Sequence, residues 1–273
     1  MTAMNYQLLG RSGLRVSDIC LGTMTFGKDW GWGSGKEEAR QIYERFREAG
    51  GNFIDTANLY TDGTSEGFVG EFVASHRGVV VLATKYTNHA PGADLNAGGN
   101  QRKNMMQAVE ASLKRLRTDY IDLYWLHVWD QMTPIEKVMR TFDDLVRSGK
   151  VLYIGVSDAP AWAVAGRAAR LDPLCGAADR IQSAGENSGT RVDPAREGGQ
   201  MTVLAWSPLK GGLLTGKYLP ENKGEEDARL STEMMKELGQ IEEAELATVR
   251  EVVAVAKEIG ASPAQVSLAW LRY

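Results

Sequence analysis

Cysteine is almost missing from the chain. Cys20 and Cys175 are the only two in 273 residues, and they stand far apart with no metal-ligand spacing. A disulfide framework and a redox pair are thereby set aside, leaving two buried or incidental thiols and no metal site. Long apolar runs are missing too. A stretch such as 79–83 is far too short to span a bilayer, and residues 1–11 contain nothing like a signal peptide, so a cytoplasmic protein without a membrane partner is expected. Charge of one sign is not in excess: 31 basic residues meet 35 acidic ones, the net charge is -4, and the basic residues are dispersed. That pattern carries no electrostatic footprint for nucleic acid, and a small molecule is the expected partner. The sequence leaves the oligomeric state open. What is present is an ordinary globular composition, 43% hydrophobic and 24% charged, too apolar for a disordered chain. Its length suits one barrel-sized domain over residues 1–273.

Short β-branched runs alternate with longer amphipathic ones, the signature of βα units around a parallel sheet. A hairpin over 6–16 turns on Gly10 and Gly13. Core strands are expected at 19–24, 52–57, 79–86, 121–127 and 153–157, and helices at 36–49, 65–75, 101–117 and 133–147. In the third of these helices Met105, Val109, Leu113 and Leu116 share one face. In the fourth, Pro134 opens the helix and Gly149 closes it. The order then fails across 165–200, where Leu171, Leu174, Cys175, Ile181 and Val192 are the only large apolar residues. A buried parallel strand needs a near-continuous apolar run, so no regular sixth unit is expected there. Regularity returns with a strand at 201–206 and helices at 243–260 and 263–272. Within these 273 residues no eighth strand or helix is expected.

Asp55 and Tyr60 follow the second strand, Lys85 ends the third, His127 the fourth and Ser157 the fifth. In a βα barrel the carboxyl edge of the strands is the functional face, so these groups would converge at one mouth. Taken singly, each has an ordinary explanation: Tyr60 as a packing residue, Lys85 as a strand-end cation, Asp55 as a cap, His127 as a hydrogen-bonded structural histidine. Taken together they match the needs of hydride transfer to a carbonyl, where an acid must protonate the oxygen as negative charge develops. A tyrosine has a reference pKa of about 10 and serves as that acid only beside a charge that stabilises its phenolate. Lys85 can supply the charge, Asp55 can hold and balance it, and His127 can direct a hydrogen bond to the same oxygen. A barrel lyase using Lys85 as a Schiff-base amine leaves Tyr60 and Asp55 with less purpose.

At these residues a family resemblance emerges. Gly-Asn-Phe-Ile-Asp-Thr-Ala-Asn-Leu-Tyr (51–60), Leu-Ala-Thr-Lys (82–85), Tyr-Ile-Asp-Leu-Tyr-Trp-Leu-His (120–127), Gly-Lys-Val-Leu-Tyr-Ile-Gly-Val-Ser (149–157) and Trp-Ser-Pro-Leu (206–209) resemble the aldo-keto reductases, in the family's order. The resemblance covers roughly 5–164 and 201–273. It implies an α/β fold, a (β/α)8 TIM-type barrel, here lacking a regular sixth unit and the eighth strand and helix. It also implies NADP (NADPH) bound without a Rossmann fold, in agreement with the lack of a Gly-x-Gly-x-x-Gly fingerprint after a strand.

The implied activity is NADPH-dependent reduction of an aldehyde or ketone to an alcohol. Tyr60 matches the proton donor, Lys85 and Asp55 the activating pair, and His127 the substrate-orienting residue. Thr23, Met24, Asp55, Ser157, Asp158, Trp206, Ser207, Pro208 and Leu209 match cofactor-contacting positions, with Trp206 the one to stack on the nicotinamide. Gly211 and Gly212 would let backbone amides approach the pyrophosphate, and Lys217 would add charge beside it. Asp158 departs from the family's asparagine but still accepts a hydrogen bond. Gln182 is the nearest counterpart of the family's sixth-strand glutamine. The alternative is a nicotinamide-binding relative that is catalytically impaired or regulatory, like the family's potassium-channel β subunits. Those lack the histidine, and His127 therefore favours catalysis.

Overall fold

The computed structural model describes residues 4–88, 94–159, 176–179, 202–222 and 241–272. The hairpin is formed by β1 (Tyr6–Leu8) and β2 (Arg15–Ser17), paired antiparallel. Then follow β3 (Leu21–Gly22), β4 (Phe53–Asp55), β5 (Val81–Tyr86), β6 (Ile121–Leu126), β7 (Val151–Ser157), β8 (Gly176–Asp179) and β9 (Thr202–Ala205), a seven-stranded sheet in chain order. From β3 to β8 every pairing is parallel. Parallel neighbours need a crossover, and α1 (Lys36–Glu48), α2 (Thr64–Val73), α3 (Arg102–Leu116) and α4 (Ile135–Arg147) supply one between each pair from β3 to β7.

The segment 165–200, expected to carry no regular unit, does contain a strand. β8 pairs in parallel with β7, Gly155 opposite Gly176. Its sequence is Gly-Ala-Ala-Asp, so backbone pairing proceeds there without the large apolar side chains by which a buried strand is read. The remainder of that segment, Gln182 included, lies outside the described residues. A second difference is at 19–24, where only Leu21 and Gly22 pair. The Ser17 hydroxyl donates to the Ile19 carbonyl at 2.7 Å, which draws that group out of the ladder.

Period-two alternation sorts the strands' side chains onto two faces. Leu82, Tyr86, Tyr124, Leu126, Ile154 and Val156 pack with helical residues such as Val69, Met105, Val109 and Phe142. Phe53, Val81, Ala83, Leu123 and Trp125 form a separate cluster with Leu9 and Val16 of the hairpin. All six residues of β5 and of β6 are buried, as a parallel sheet covered on both faces requires. Each large apolar side chain buried this way contributes about 1.5–3 kcal/mol. The hairpin is fastened to the amino end of β4, since Ser17 N donates to Asn52 Oδ1 at 2.7 Å and Phe53 N to Ser17 Oγ at 3.3 Å. The opposite, carboxyl ends of the strands stay open to loops.

The chain divides into two compact units, Met1–Ala178 with Val192–Leu204, and Asp179–Arg191 with Ala205–Tyr273. The second contains α5 (Glu243–Ile259) and α6 (Pro263–Trp270), each opened by a capping box, Glu242 with Glu245 and Ser262 with Gln265. Leu213, Leu214, Leu219 and Val249 are its core. No helix among the described residues is long and apolar enough to cross a membrane.

Candidate active site

Asp55, Lys85, His127 and Ser157 have the same parity along their strands as Phe53, Ala83, Trp125 and Gly155, so all project on the hairpin-capped face. Register aligns them: Asp55 lies opposite Ala83, and Lys85 opposite Trp125, which lies opposite Gly155. Lys85 is buried among polar partners. Its ammonium forms an ion pair with Asp55 Oδ2 and donates to the Thr56 carbonyl at 2.7 Å and to Tyr60 Oη at 3.2 Å. An ammonium has three N–H bonds, and all three are committed. Burial alone would depress the Lys85 pKa, but the negative charge of Asp55 and then Tyr60 outweigh it and hold the group above its ordinary value. Imine chemistry needs a neutral, uncommitted amine, so this environment opposes a Schiff-base role. Burial pushes the Asp55 carboxyl up, against the pull of Lys85 and the Trp125 indole.

Tyr60 enters through a tight turn. Its backbone N–H donates to the Ala57 carbonyl at 3.1 Å, and the next two residues, Thr61 (φ 47) and Asp62 (φ 53), are both left-handed. A β-branched residue in that region is uncommon, and its side chain is fully used. Thr61 Oγ1 donates to the Phe26 carbonyl at 2.6 Å and accepts from Ser65 N at 3.1 Å, which joins the loop after β3 to the first turn of α2. The Tyr60 ring stands edge-on to His127, centroids 6.0 Å apart at 82°, and Lys85 Nζ lies 4.8 Å from the tyrosine centroid.

His127 is tied to β5 through its backbone N–H and the Tyr86 carbonyl at 3.2 Å. Burial, then the charge of Lys85, depress its pKa to about 3, so the ring is neutral near pH 7. A neutral imidazole donates from one nitrogen only, and Nδ1 is buried without a hydrogen-bond partner among the described residues.

Among the other expected residues, Thr23 is buried, with N and Oγ1 donating to the Asp55 carbonyl at 2.9 and 3.0 Å. Met24 beside it is half-buried. Ser157 is buried at the end of β7, and Asp158 turns the chain at φ 43 while its carbonyl accepts from Trp129 N at 3.3 Å. Trp206, Ser207, Pro208, Leu209, Gly211 and Lys217 belong to the second unit. Trp206 is 39% exposed. Ser207, Lys210, Gly211 and Gly212 have φ of 56, 49, 66 and 93, the backbone form that makes anion-binding concavities. Lys210 is ion-paired with Glu245, and Lys217 Nζ sits 5.3 Å from the Tyr218 ring centroid.

Four contributors escaped the sequence reading. Thr56 acts through its carbonyl, which no side-chain pattern announces. Thr61 and Ser65 brace the Tyr60 turn, and Ser65 Oγ also donates to the Thr23 carbonyl at 2.7 Å. Trp125 fills the face beneath Lys85, a position that counting back two residues from His127 would have found.

The chain belongs to the aldo/keto reductase family, whose pattern it matches over residues 18–273. That family is built on a (β/α)8 barrel, and the parallel strands and crossover helices from β3 to β7 follow its α/β order. Norsolorinic acid reductase stcV of Emericella nidulans is 52% identical over 164 residues, 56% of this chain and 42% of that protein. Aryl-alcohol dehydrogenase (NADP(+)) of Phanerodontia chrysosporium is 38% identical over 294 residues, 97% of this chain and 74% of the other. Uncharacterized oxidoreductase YrpG of Bacillus subtilis is 36% identical over 285 residues, 98% and 83%. The chain spans about half the length, 42% to 56%, of the norsolorinic acid reductases it matches.

Proposed function

We propose that this protein reduces an aldehyde or ketone to an alcohol using NADPH, with Tyr60 as proton donor. The observation that carries the reading is the Lys85 ammonium bonded at once to Asp55 and to Tyr60 Oη. As Tyr60 gives its proton to the carbonyl oxygen, the phenolate left behind is stabilised by that ammonium, and Asp55 keeps the ammonium in place. His127, neutral, directs its one N–H to the same oxygen and orients the substrate. The nicotinamide, when bound, supplies the hydride to the carbonyl carbon.

On the motifs they share with the family, Thr23, Met24, Asp55, Ser157, Asp158, Trp206, Ser207, Pro208, Leu209, Gly211 and Lys217 are the residues we assign to the cofactor. The donor set suits a dinucleotide: an exposed indole for the ring and a run of positive-φ residues for the phosphates. Relatives named for aryl alcohols and norsolorinic acid make aryl aldehydes and ketones the first substrates to assay. NADPH oxidation should fall about 1,000-fold in Tyr60→Phe, within the range for losing a general acid, while NADPH still quenches tryptophan fluorescence. A folded wild-type protein no more active than Tyr60→Phe across such a panel would defeat the reading, and binding without turnover would mark a non-catalytic relative.

A further inference from the structure

Two buried polar atoms at the foot of the site are left over by the proposed reaction. Asp55 Oδ1 and Trp125 Nε1 are both out of solvent, and neither has a hydrogen-bond partner within ordinary limits among the described residues. A donor and an acceptor stranded in one interior each cost free energy unless they serve one another. Their surroundings bring them together. Trp125 is fully buried, its register partners are Lys85 and Gly155, and a Cβ placed on Gly155 would overlap the indole's six-membered ring. The ring therefore lies across Gly155, where any side chain would lift it. On the side toward β4 stands Ala83, opposite Asp55, with only a methyl group to fill the space. The indole is also among the groups that favour the charged form of Asp55, after Lys85.

We propose that Trp125, seated on Gly155, is a positioning residue: its indole N–H serves Asp55 Oδ1 and fixes the rotation of the carboxylate whose Oδ2 holds Lys85. The kinetic part of this proposal rests on the reductase reading; the contact itself does not. A carboxylate free to rotate would release Lys85 from the geometry in which it also reaches Tyr60. Trp125 touches no reacting atom and acts through two intermediaries.

Two measurements on the full chain test the proposal. In 15N-tryptophan spectra with the indole resonances assigned, the Trp125 N–H should shift on Asp55→Asn; a resonance that ignores the substitution overturns the contact whether or not the protein turns over any carbonyl. In Trp125→Phe, which keeps an aromatic plate on Gly155 and deletes the N–H, kcat should fall about tenfold, the size of one hydrogen bond to a charged group. NADPH affinity by fluorescence should stay within about twofold, since the phosphate-facing residues are untouched. The acid limb of the pH profile should move to higher pH, because Asp55 loses a group that favours its charged form. A folded Trp125→Phe with wild-type kcat and an unmoved acid limb overturns the positioning role. Wild-type protein inactive on every carbonyl tested would defeat the reductase reading and leave the spectral result to decide the contact.

Discussion

At the ends of β4, β5 and β6 the polar groups are held by one another: Lys85 by three partners, Thr61 by two, and Thr23 by the backbone of Asp55. In the second unit, the loop at 207–216 is shaped instead by backbone conformation, with φ positive at Ser207, Lys210, Gly211, Gly212 and Gly216. The first arrangement demands particular side chains, since each buried group is the other's solvation. The second demands particular dihedrals at its glycines, while Leu213, Leu214 and the Lys210–Glu245 ion pair fasten it to the rest of that unit. Substitutions in the two regions should therefore fail differently, one through stranded charge and the other through strain.

The largest effect is expected from Lys85→Met. It keeps the length of the side chain but leaves the Asp55 carboxylate buried and unpaired, which costs about 3–5 kcal/mol in comparable ion pairs. NADPH oxidation should drop at least 100-fold, the lower end for a lost acid-base partner. Urea unfolding at pH 7 should report the destabilisation, and adding Asp55→Asn should recover much of it, because the second substitution removes the stranded charge. If the single and double variants are equally stable, the pair is not the coupled unit that its geometry indicates.

Much of this contrast was legible beforehand, for a physical reason. β5 and β6 read clearly because burial on both faces forces continuous apolar runs, and the functional residues at their ends follow from chain order around a parallel sheet. β8 escaped notice because Gly176, Ala177 and Ala178 carry almost no apolar surface, although their backbone pairs as well as any other. The brace under Tyr60 escaped because a left-handed threonine followed by a left-handed aspartate contradicts local propensity; the Phe26 carbonyl and the Ser65 N–H that Thr61 bonds are set by the fold. Trp125 lies two residues before His127 in the same motif, where an indole reads as an apolar strand residue and its N–H carries no signal of its own.

A smaller effect separates the neutral histidine from the ion pair beside it. His127 titrates near pH 3 when folded and near 6.5 when unfolded. Between these values the unfolded chain binds one more proton, so the stability tied to the neutral ring is complete above about pH 6.5 and is lost as pH falls toward 3. Its slope is about 1.4 kcal/mol per pH unit. In His127→Gln that slope should disappear, measured as the difference between wild-type and variant unfolding free energies from pH 6 to pH 4. A difference that does not vary with pH would place the ring in solvent and remove the basis for a fixed, neutral donor. Asp55, with its raised pKa, acts in the opposite sense and cancels in the comparison.

The smallest effect is expected in the second unit, where conformation replaces partners. At Gly212, with φ 93, an added Cβ would come 2.9 Å from Lys217 Cε, the far part of a flexible side chain that can swing aside. Crowding is therefore cheap, and the cost of Gly212→Ala comes from the left-handed backbone, about 1–2 kcal/mol. Lys217→Met leaves every dihedral intact and removes only a charge, worth at most about 1 kcal/mol at a solvent-screened site. If backbone amides hold the cofactor's phosphates, Gly212→Ala should weaken NADPH binding up to about tenfold, more than Lys217→Met, with kcat at saturation unchanged in both. The reverse order in a fluorescence titration would mean that this loop also works through a side chain, and the contrast between the two units would lose its basis.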